Sequence, residues 1–411
     1  MNEEQAVAYD LVVAGAGIVG ASLAALLGQA GLRILVVDPH EPLAVWETGT
    51  LDIRVYAVTR ASEQVLRNAG AWDEVVARGV SPFREMHVWD AAGSGEIHFD
   101  SADLAEPLLG YIIEQRVMQA ALANRLQALP SVTTRWDTAV AALEAGDRAI
   151  EVRLEDGTRT RARLLVGADG ARSRVRDLAG IPVEVRPYGQ VALVATLATE
   201  RPHGETAWQR FLPEGPLAFL PLADGRSSIV WSTTPERAEA LMALPEAEFA
   251  TAVAEAFEYR LGAVTRVDER AAFPLRRMHA RRYLDERLVL VGDAAHVIHP
   301  LAGQGMNLGL LDAAALAEVV LGARAAGRDF GRRANLRPFE RWRRGENRLM
   351  MELMDAFKRL FGSPLAPVAG LRNLGLGLVD RAPPLKRWLA ARAMGLAGDL
   401  PRLARPCPRD D

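Results

Sequence analysis

The residues whose types and spacing are best set up for chemistry are glycines and carboxylates at three corners of the chain. They are Gly15-x-Gly17-x-x-Gly20 with Asp38, Gly167-Ala-Asp169-Gly170, and Gly292-Asp293 followed by Pro300 and Gly303-Gln304-Gly305-Met306-Asn307. A glycine turn that opens a helix leaves backbone N–H groups and the positive end of the helix dipole free for a phosphate. A carboxylate at the end of a buried strand can accept hydrogen bonds from sugar hydroxyls. The chemistry spelled out is the holding of a phosphorylated, sugar-bearing ligand. Nucleophilic and metal chemistry have less behind them. The one cysteine, Cys407, excludes an internal disulfide or a cysteine-based metal site, and the seven histidines contain no i, i+4 pair, so no metal is assigned.

Each corner needs elements to position it. Residues 9–14 read as a buried strand, Gly15 to Gly20 as a turn, the apolar-periodic stretch to Ala30 as a helix, and residues 33–37 as a second strand ending in Asp38, 23 residues after Gly15. In this fingerprint Gly15 permits the tight turn, Gly17 lets a pyrophosphate approach the backbone, Gly20 lets helix and strand pack closely, and Asp38 binds the adenosine ribose. The motif alone does not separate FAD from NAD. Residues 288–291 form another apolar run, ended by Gly292-Asp293, and after the glycine corner residues 306–320 read as a helix with free N–H groups. An electron-rich ring over that corner, with ribityl hydroxyls at Asp293, fits a flavin. No second G-x-G-x-x-G precedes Asp293.

Composition sets the class. With 411 residues, 49% hydrophobic and 25% charged, the chain suits a multi-unit globular protein, and no uninterrupted apolar run looks long enough to span a bilayer. The acidic start, Asn2-Glu3-Glu4, does not fit a signal peptide, so a cytoplasmic location is expected. Net charge is −3, yet residues 331–411 hold 17 Arg plus Lys against 8 Asp plus Glu, including the only lysines, Lys358 and Lys386. No basic patch is interleaved with aromatics, so no nucleic-acid partner is expected.

Between the corners, periodicity predicts a helix over 61–77, a hairpin from 86–90 and 96–100, a helix from 114 to 129 and a hairpin turning at Asp156-Gly157. Residues 190–273 change texture, with strands at 191–198, 208–212, 217–222 and 227–232 and a helix at 246–260, and the chain beyond 320 reads as helices broken by Gly and Pro. The fold class expected is α/β: a Rossmann-like FAD-binding domain with an inserted sheet-rich substrate domain and C-terminal helices. The FAD-binding pieces are assigned to 1–80, 111–185 and 274–330. The inserted hairpin takes 81–110, the substrate domain 186–273, and the helical region 331–411.

The three corners, in this order, resemble the class A flavoprotein monooxygenases, the aromatic hydroxylases that include p-hydroxybenzoate hydroxylase. Gly110-Tyr-Ile-Ile-Glu114, the stretch from Gln209 to Leu222, His299-Pro-Leu-Ala-Gly-Gln-Gly-Met-Asn-Leu-Gly309 and Met394-Gly-Leu-Ala-Gly-Asp-Leu-Pro401 resemble the ubiquinone-biosynthesis hydroxylases in particular, so that the likeness spans essentially the whole chain. Carried over by position, the resemblance implies FAD contacts at Arg54 and Gln115 and an FAD- and NAD(P)H-linked role for Asp169. It puts the ribityl hydroxyls at Asp293 and the isoalloxazine over the backbone from Gly303 to Asn307. It also sets the Pro300 carbonyl beside the oxygen-reaction site. Many relatives carry glutamate where this chain has Asp38; either carboxylate can bind the ribose.

The resemblance also implies a reaction: NADPH or NADH reduces FAD, O2 adds at flavin C4a, and the hydroperoxide hydroxylates a prenylated phenol. The cofactor carries that chemistry. Phe211, Leu212, Phe219, Leu220 and Leu222 stand either in the wall of an apolar substrate pocket or in plain sheet core. Three rivals share the scaffold. A flavin halogenase relies on a lysine early in the chain, and none precedes Lys358 here. A prenyl-chain reductase would consume no O2. A non-catalytic FAD-binding subunit of a quinone-biosynthesis complex would show no substrate-stimulated NAD(P)H oxidation, and hydroxylation of another aromatic substrate is a further alternative. The tail, with Leu349-Met-Met-Glu-Leu-Met354, Phe357-Lys-Arg-Leu-Phe361 and Leu385-Lys-Arg-Trp-Leu389, suits helices with an apolar face and a basic rim. Such helices either pack on their own domain or also meet the inner membrane or a partner protein of quinone biosynthesis.

Overall fold

The apolar runs Tyr9–Ala14, Ile34–Val37, Arg159–Gly167 and Leu288–Leu290 lie in one parallel sheet, with Val132–Arg135 beyond Ile34–Val37. This is a computed structural model of the chain, and it describes residues 8–47, 50–93, 95–299, 304–362, 370, 380 and 382–405. Numbered along the chain, the five parallel strands stand in the order 3-2-1-4-5. The order reverses between the first and fourth, and the crevice beyond the carboxyl ends at such a reversal is where doubly wound sheets bind ligands. Leu11, Val12 and Val13 are fully buried, as expected of a strand covered on both faces. Helices Ile18–Gln29, Gln115–Gln127 and Gln304–Ala325 pack side by side over it. The first and last meet closely at Gly309, where a Cβ would lie 2.6 Å from a Val19 methyl and 3.3 Å from the Gly292 Cα.

Helix Gln304–Ala325 departs from the sequence reading. It has 22 residues and a mean hydropathy of 1.5, long and apolar enough by composition to cross a bilayer. The apolar run is nonetheless interrupted, as the sequence reading had it, by Asn307, Asp312 and Glu318. The Asn307 and Asp312 side chains are buried and bonded inside the protein, and the helix serves as a core element here.

A second, eight-stranded sheet runs in the order His296–Val297, Val264–Ala280, Val183–Thr199, Ser227–Thr233, Gly215–Pro221, Thr206–Leu212, Glu85–Asp90, Glu96–Asp100. The early hairpin thus joins this sheet through parallel pairing with Thr206–Leu212. Val183–Thr199 and Val264–Ala280 are 17 residues each and pair antiparallel over most of their length. The sequence limits at 185/186 and 273/274 both fall inside these strands. Residues 184–187 are exposed in a row in the first, and the second exposes Arg266, Glu269 and Arg276, so neither carries the steady apolar signature used to find strands.

Two smaller departures have local causes. The expected helix over 61–77 is two helices, Arg60–Asn68 and Trp72–Arg78, separated at Gly70, whose φ of 74° is left-handed and ends the first. The helix expected to reach 260 stops at Ala256, and Glu258 and Tyr259 follow with positive φ. The chain beyond the sheets forms helix Arg333–Phe361, with Pro338 tolerated near its start, and helix Pro383–Ala393.

Candidate functional site

At the reversal point, the turn after Tyr9–Ala14 has the form its glycines dictate. Gly15 has φ of 102°, and a Cβ at Gly20 would lie 2.0 Å from the Gly15 carbonyl oxygen. A Cβ at Gly17 would meet nothing within 4 Å, so the space in front of it is open. Helix Ile18–Gln29 starts there with no side-chain cap and no acidic residue in its first turn. Its first N–H groups are therefore left for an anion. Asp38 stands beside the turn, its carboxylate accepting from the Ala16 N–H at 2.7 Å and the His40 N–H at 2.9 Å. It fixes the turn while keeping lone pairs for a sugar. This open, uncapped cradle fits the pyrophosphate and ribose of FAD.

A second group converges on Tyr56. Its hydroxyl donates to Gln115 Oε1 at 3.0 Å, and the Gln115 N–H donates to the Arg54 carbonyl at 2.9 Å. Burial pushes the Tyr56 phenol up to about 12, Asp293 adds to the shift and Arg54 opposes it. Arg54, Gln115 and Asp293, far apart in sequence, thus share one site. Asp293 is exposed to solvent, yet surrounding protein raises its carboxyl pKa, with His296 acting against that rise. Accessibility with poor hydration is the condition of a group on the floor of a cleft. Tyr56 went unnoticed in the sequence, where its strand Val55–Thr59 carries no motif.

Asn307 is buried and fastens the glycine-corner helix to that strand: its side-chain amide donates to the Ala57 carbonyl at 2.8 Å, and its Oδ1 accepts from the Thr59 N–H at 3.1 Å. Gln304 and Gly305 are part-exposed at the helix start, and Met306 is buried behind them. The first turn holds no acidic residue, so its positive end is open to a negative charge from a ligand. Pro300 and Gly303 lie outside the described residues. Asp169 stands apart from this group: its carboxylate accepts from the Ser173 hydroxyl and the Val175 N–H, capping its own turn.

Beneath Gly292-Asp293 is a buried polar cluster that the sequence did not disclose. Asp312 accepts from the Gly292 N–H at 3.1 Å, His296 at 2.5 Å, Arg343 Nε at 2.8 Å and Asn347 Nδ2 at 3.1 Å. Burial by itself would raise its pKa, but His296 and Arg343 hold the carboxyl well below the usual range. Arg343 and Asn347 are four apart on helix Arg333–Phe361, so one face of that helix carries both. The cluster aims the Gly292-Asp293 corner.

A cavity of about 550 Å³ opens between the second sheet and helix Arg333–Phe361, with Tyr188, Gln190, Phe211, His299, Lys358 and Phe361 among its lining. Phe211 stacks on Phe361 with centroids 3.8 Å apart, and Leu212 also lines it. Phe219 instead packs on Phe257 in the core behind the sheet, and neither Leu220 nor Leu222 lines the cavity. Of the five expected wall residues, Phe211 and Leu212 thus line the cavity and the other three do not. Tyr188 donates to Asp355 at 2.8 Å, and Lys358 donates to the Tyr188 carbonyl at 2.7 Å. His299, one residue before Pro300, is 1% exposed, with Nε2 3.2 Å from Gln190 Oε1 and Nδ1 without a partner among the described residues. Burial, then Lys358, brings its pKa down to about 4.

Comparison with known proteins agrees with this architecture. The FAD binding domain family matches residues 8–328. Ubiquinone hydroxylase UbiL of Rhodospirillum rubrum is 40% identical over 97% of this chain and 93% of its own length. The 3-demethoxyubiquinol 3-hydroxylase of Escherichia coli is 40% identical over 94% and 98%. Among solved structures, PqsL of Pseudomonas aeruginosa in complex with 2-aminobenzoylacetate is 26% identical, with a TM-score of 0.74 over 90% of this chain and 99% of its own. The p-nitrophenol 4-monooxygenase PnpA of Pseudomonas putida, at 19% identity and a TM-score of 0.75 over 94% and 98%, shares the fold.

Proposed function

The chain belongs to the class A FAD-dependent aromatic-ring monooxygenases, in the ubiquinone-biosynthesis hydroxylase family, and from that premise we propose that it hydroxylates the ring of a prenylated phenol intermediate of ubiquinone biosynthesis. NADPH or NADH is the electron donor and O2 the co-substrate. The observation that supports this reading is the approach of Arg54, Gln115 and Asp293 to Tyr56, together with an open glycine turn and a cavity lined by His299 on the segment that leaves Asp293.

When bound, FAD supplies reduction by NAD(P)H and activation of O2. The chain's residues position and protect. The Gly15, Gly17 and Gly20 turn holds the pyrophosphate, Asp38 the ribose, and Asp293 the ribityl hydroxyls. Arg54 and Gln115 border the flavin, Asp169 holds its own turn, and the backbone from Gln304 to Asn307 underlies the ring. The helix start at Gln304, with no acidic residue in its first turn, would favour negative charge on a ring bound there. Phe211 and Phe361 offer apolar faces to the phenol and keep water away. His299, kept neutral by burial, is suited to accept a hydrogen bond from a phenol hydroxyl.

The deciding experiment is turnover with labelled O2 and a prenylated phenol. Substrate-stimulated NAD(P)H oxidation with label in the product is expected, and product bearing oxygen only from water would overturn the proposal. Complementation of strains each blocked at one ring-hydroxylation step then assigns the ring position.

The same reading extends to the tail. Leu349, Leu353 and Phe357, spaced four apart on helix Arg333–Phe361, are 43%, 38% and 44% exposed. Such a stripe suits shallow contact with the membrane that holds a prenylated substrate. Lys386 is occupied by Asp103 and Asp380, which makes it a poor site to test this. Flotation with anionic liposomes is expected for the wild type and reduced for Leu353→Glu/Phe357→Glu; equal flotation, or none, would restrict the stripe to a protein-facing role.

A further inference from the structure

At the edge of the second sheet opposite His296–Val297, the hairpin of Glu85–Asp90 and Glu96–Asp100 brings three ligand-bearing side chains together. His87 pairs directly across from His98, and Glu85, two residues before His87, points to the same face of its strand. Glu85 Oε2 is 2.9 Å from His98 Nε2 and 3.6 Å from His87 Nε2, and one ligand atom from each of the three lies within 4.8 Å of the others. A tetrahedral zinc ion, with bonds of about 2.0–2.1 Å, sets neighbouring ligand atoms roughly 3.4 Å apart. The two imidazoles stack with centroids 4.0 Å apart and an interplanar angle of 19°, so binding one ion requires the His98 ring to turn out of that stack while Trp208 holds His87.

Two further contacts organise the group beyond mutual hydrogen bonding. Glu96 Oε1 is 3.2 Å from His87 Nδ1. A carboxylate there accepts a hydrogen bond from the Nδ1–H and so leaves Nε2 with its lone pair free on the side of Glu85 and His98, the outer arrangement that orients metal-binding histidines. Trp208 stacks on the His87 ring at 4.6 Å with an interplanar angle of 19°, fixing its plane. Side-chain exposures of 20%, 36% and 41% for His87, His98 and Glu85 leave an entry path and room for water.

We propose that Glu85, His87 and His98 form a Zn2+ site, with Glu96 orienting His87 and water completing the coordination. Two imidazoles and one carboxylate suit a borderline divalent ion such as zinc rather than Mg2+ or Ca2+. The ion clips the outermost strand, Glu96–Asp100, to its neighbour, away from the flavin crevice. Helical i, i+4 spacing is blind to such a site because its ligands face each other across strands.

The test uses the full-length, FAD-loaded protein, stripped with a chelator and titrated with ZnCl2 by calorimetry and against a chromophoric zinc indicator. One Zn2+ per chain is expected, not displaced by excess Mg2+. Affinity should fall by at least about tenfold in His87→Ala and His98→Ala, and stay unchanged in His40→Ala, whose side chain is 89% exposed elsewhere. Flavin content and circular dichroism check folding; should His98→Ala lose FAD, His98→Asn takes its place. Co2+ in place of Zn2+ should give a visible ligand-field band that both histidine variants lose. No stoichiometric Zn2+ binding by the wild type, or equal binding by the wild type and the histidine variants, would overturn the proposal.

Discussion

Replacing Asp312 with alanine tests whether the buried cluster aims the flavin corner. The carboxylate is fully buried and accepts from the Gly292 N–H, His296, Arg343 and Asn347. Its loss strands the Arg343 guanidinium, 2% exposed, with no countercharge at 2.8 Å. Removing one member of a buried ion pair costs about 3–5 kcal/mol. With an unfolding entropy of about 2.1 cal/mol/K per residue, a chain of this length that melts as a unit has roughly 0.9 kcal/mol/K, so the expected fall in Tm is about 3–6 °C. Calorimetry reads that fall, and flavin fluorescence on dilution reads the accompanying loss of FAD affinity from an unpinned Gly292. The partner variant Asp312→Leu/Arg343→Met removes both charges and should recover much of the Tm. The pH sign follows from a folded pKa below the unfolded value of about 3.9. The carboxylate's stabilisation is fully present above that unfolded value and is lost as pH falls through the folded one. A Tm for Asp312→Ala within about 1 °C of wild type, or a double variant no better than the single, would refute the reasoning.

Gly17→Val should lower the FAD content of purified protein by filling the open space in front of the turn, and Asp293→Ala should do so by removing the acceptor on the cleft floor; normal occupancy in both would discard the assigned cradle. His299→Gln should lower kcat while leaving FAD content unchanged. Because the His299 pKa is down to about 4, its neutral form persists to that pH, so any acid limb it contributes to the wild-type rate profile should lie well below 6.5; a kcat unchanged in His299→Gln would exclude it from a part in turnover. Gly309→Val should destabilise by about 1–3 kcal/mol through overpacking against Val19, read as a lower Tm, and an unchanged Tm would deny the close helix contact.

How much of this was legible in the sequence depended on the range of the interaction. The Gly15 to Gly20 turn and the apolar strands were readable because each states its conformation within a few neighbours: the residues that must be glycine are those whose Cβ would strike the backbone next door. The convergence of Arg54, Gln115 and Asp293 on Tyr56 was reachable only through family resemblance, since it joins strand, helix and corner from three parts of the chain. The Asp312 cluster was silent. Its partners lie 16 to 35 residues away, and an Asp inside an apolar helix carries no local mark of being neutralised. Of the two long strands, Val183–Thr199 was read only over 191–198 and Val264–Ala280 was missed, because Glu184, Arg186, Arg266, Glu269 and Arg276 break the apolar pattern.

Those two strands also connect the parts of the site physically. Along one pair the register runs from Val183 opposite Ala280, where the Arg281 N–H meets the Pro182 carbonyl, to Thr199 opposite Val264 in the second sheet. Met278 and His279 pair in turn with Val297 and His296, so the strand beside the cavity is bonded to the segment leading from Asp293 to His299. The same segment holds His296 in the Asp312 cluster and His299 in the cavity wall. A shift of the flavin corner is therefore coupled to the cavity through ladder hydrogen bonds and two buried histidines. On this argument Asp312→Ala, though remote from the cavity lining, should raise KM for the phenol as well as weaken FAD. A phenol KM unchanged at saturating FAD would show that the corner and the cavity move independently.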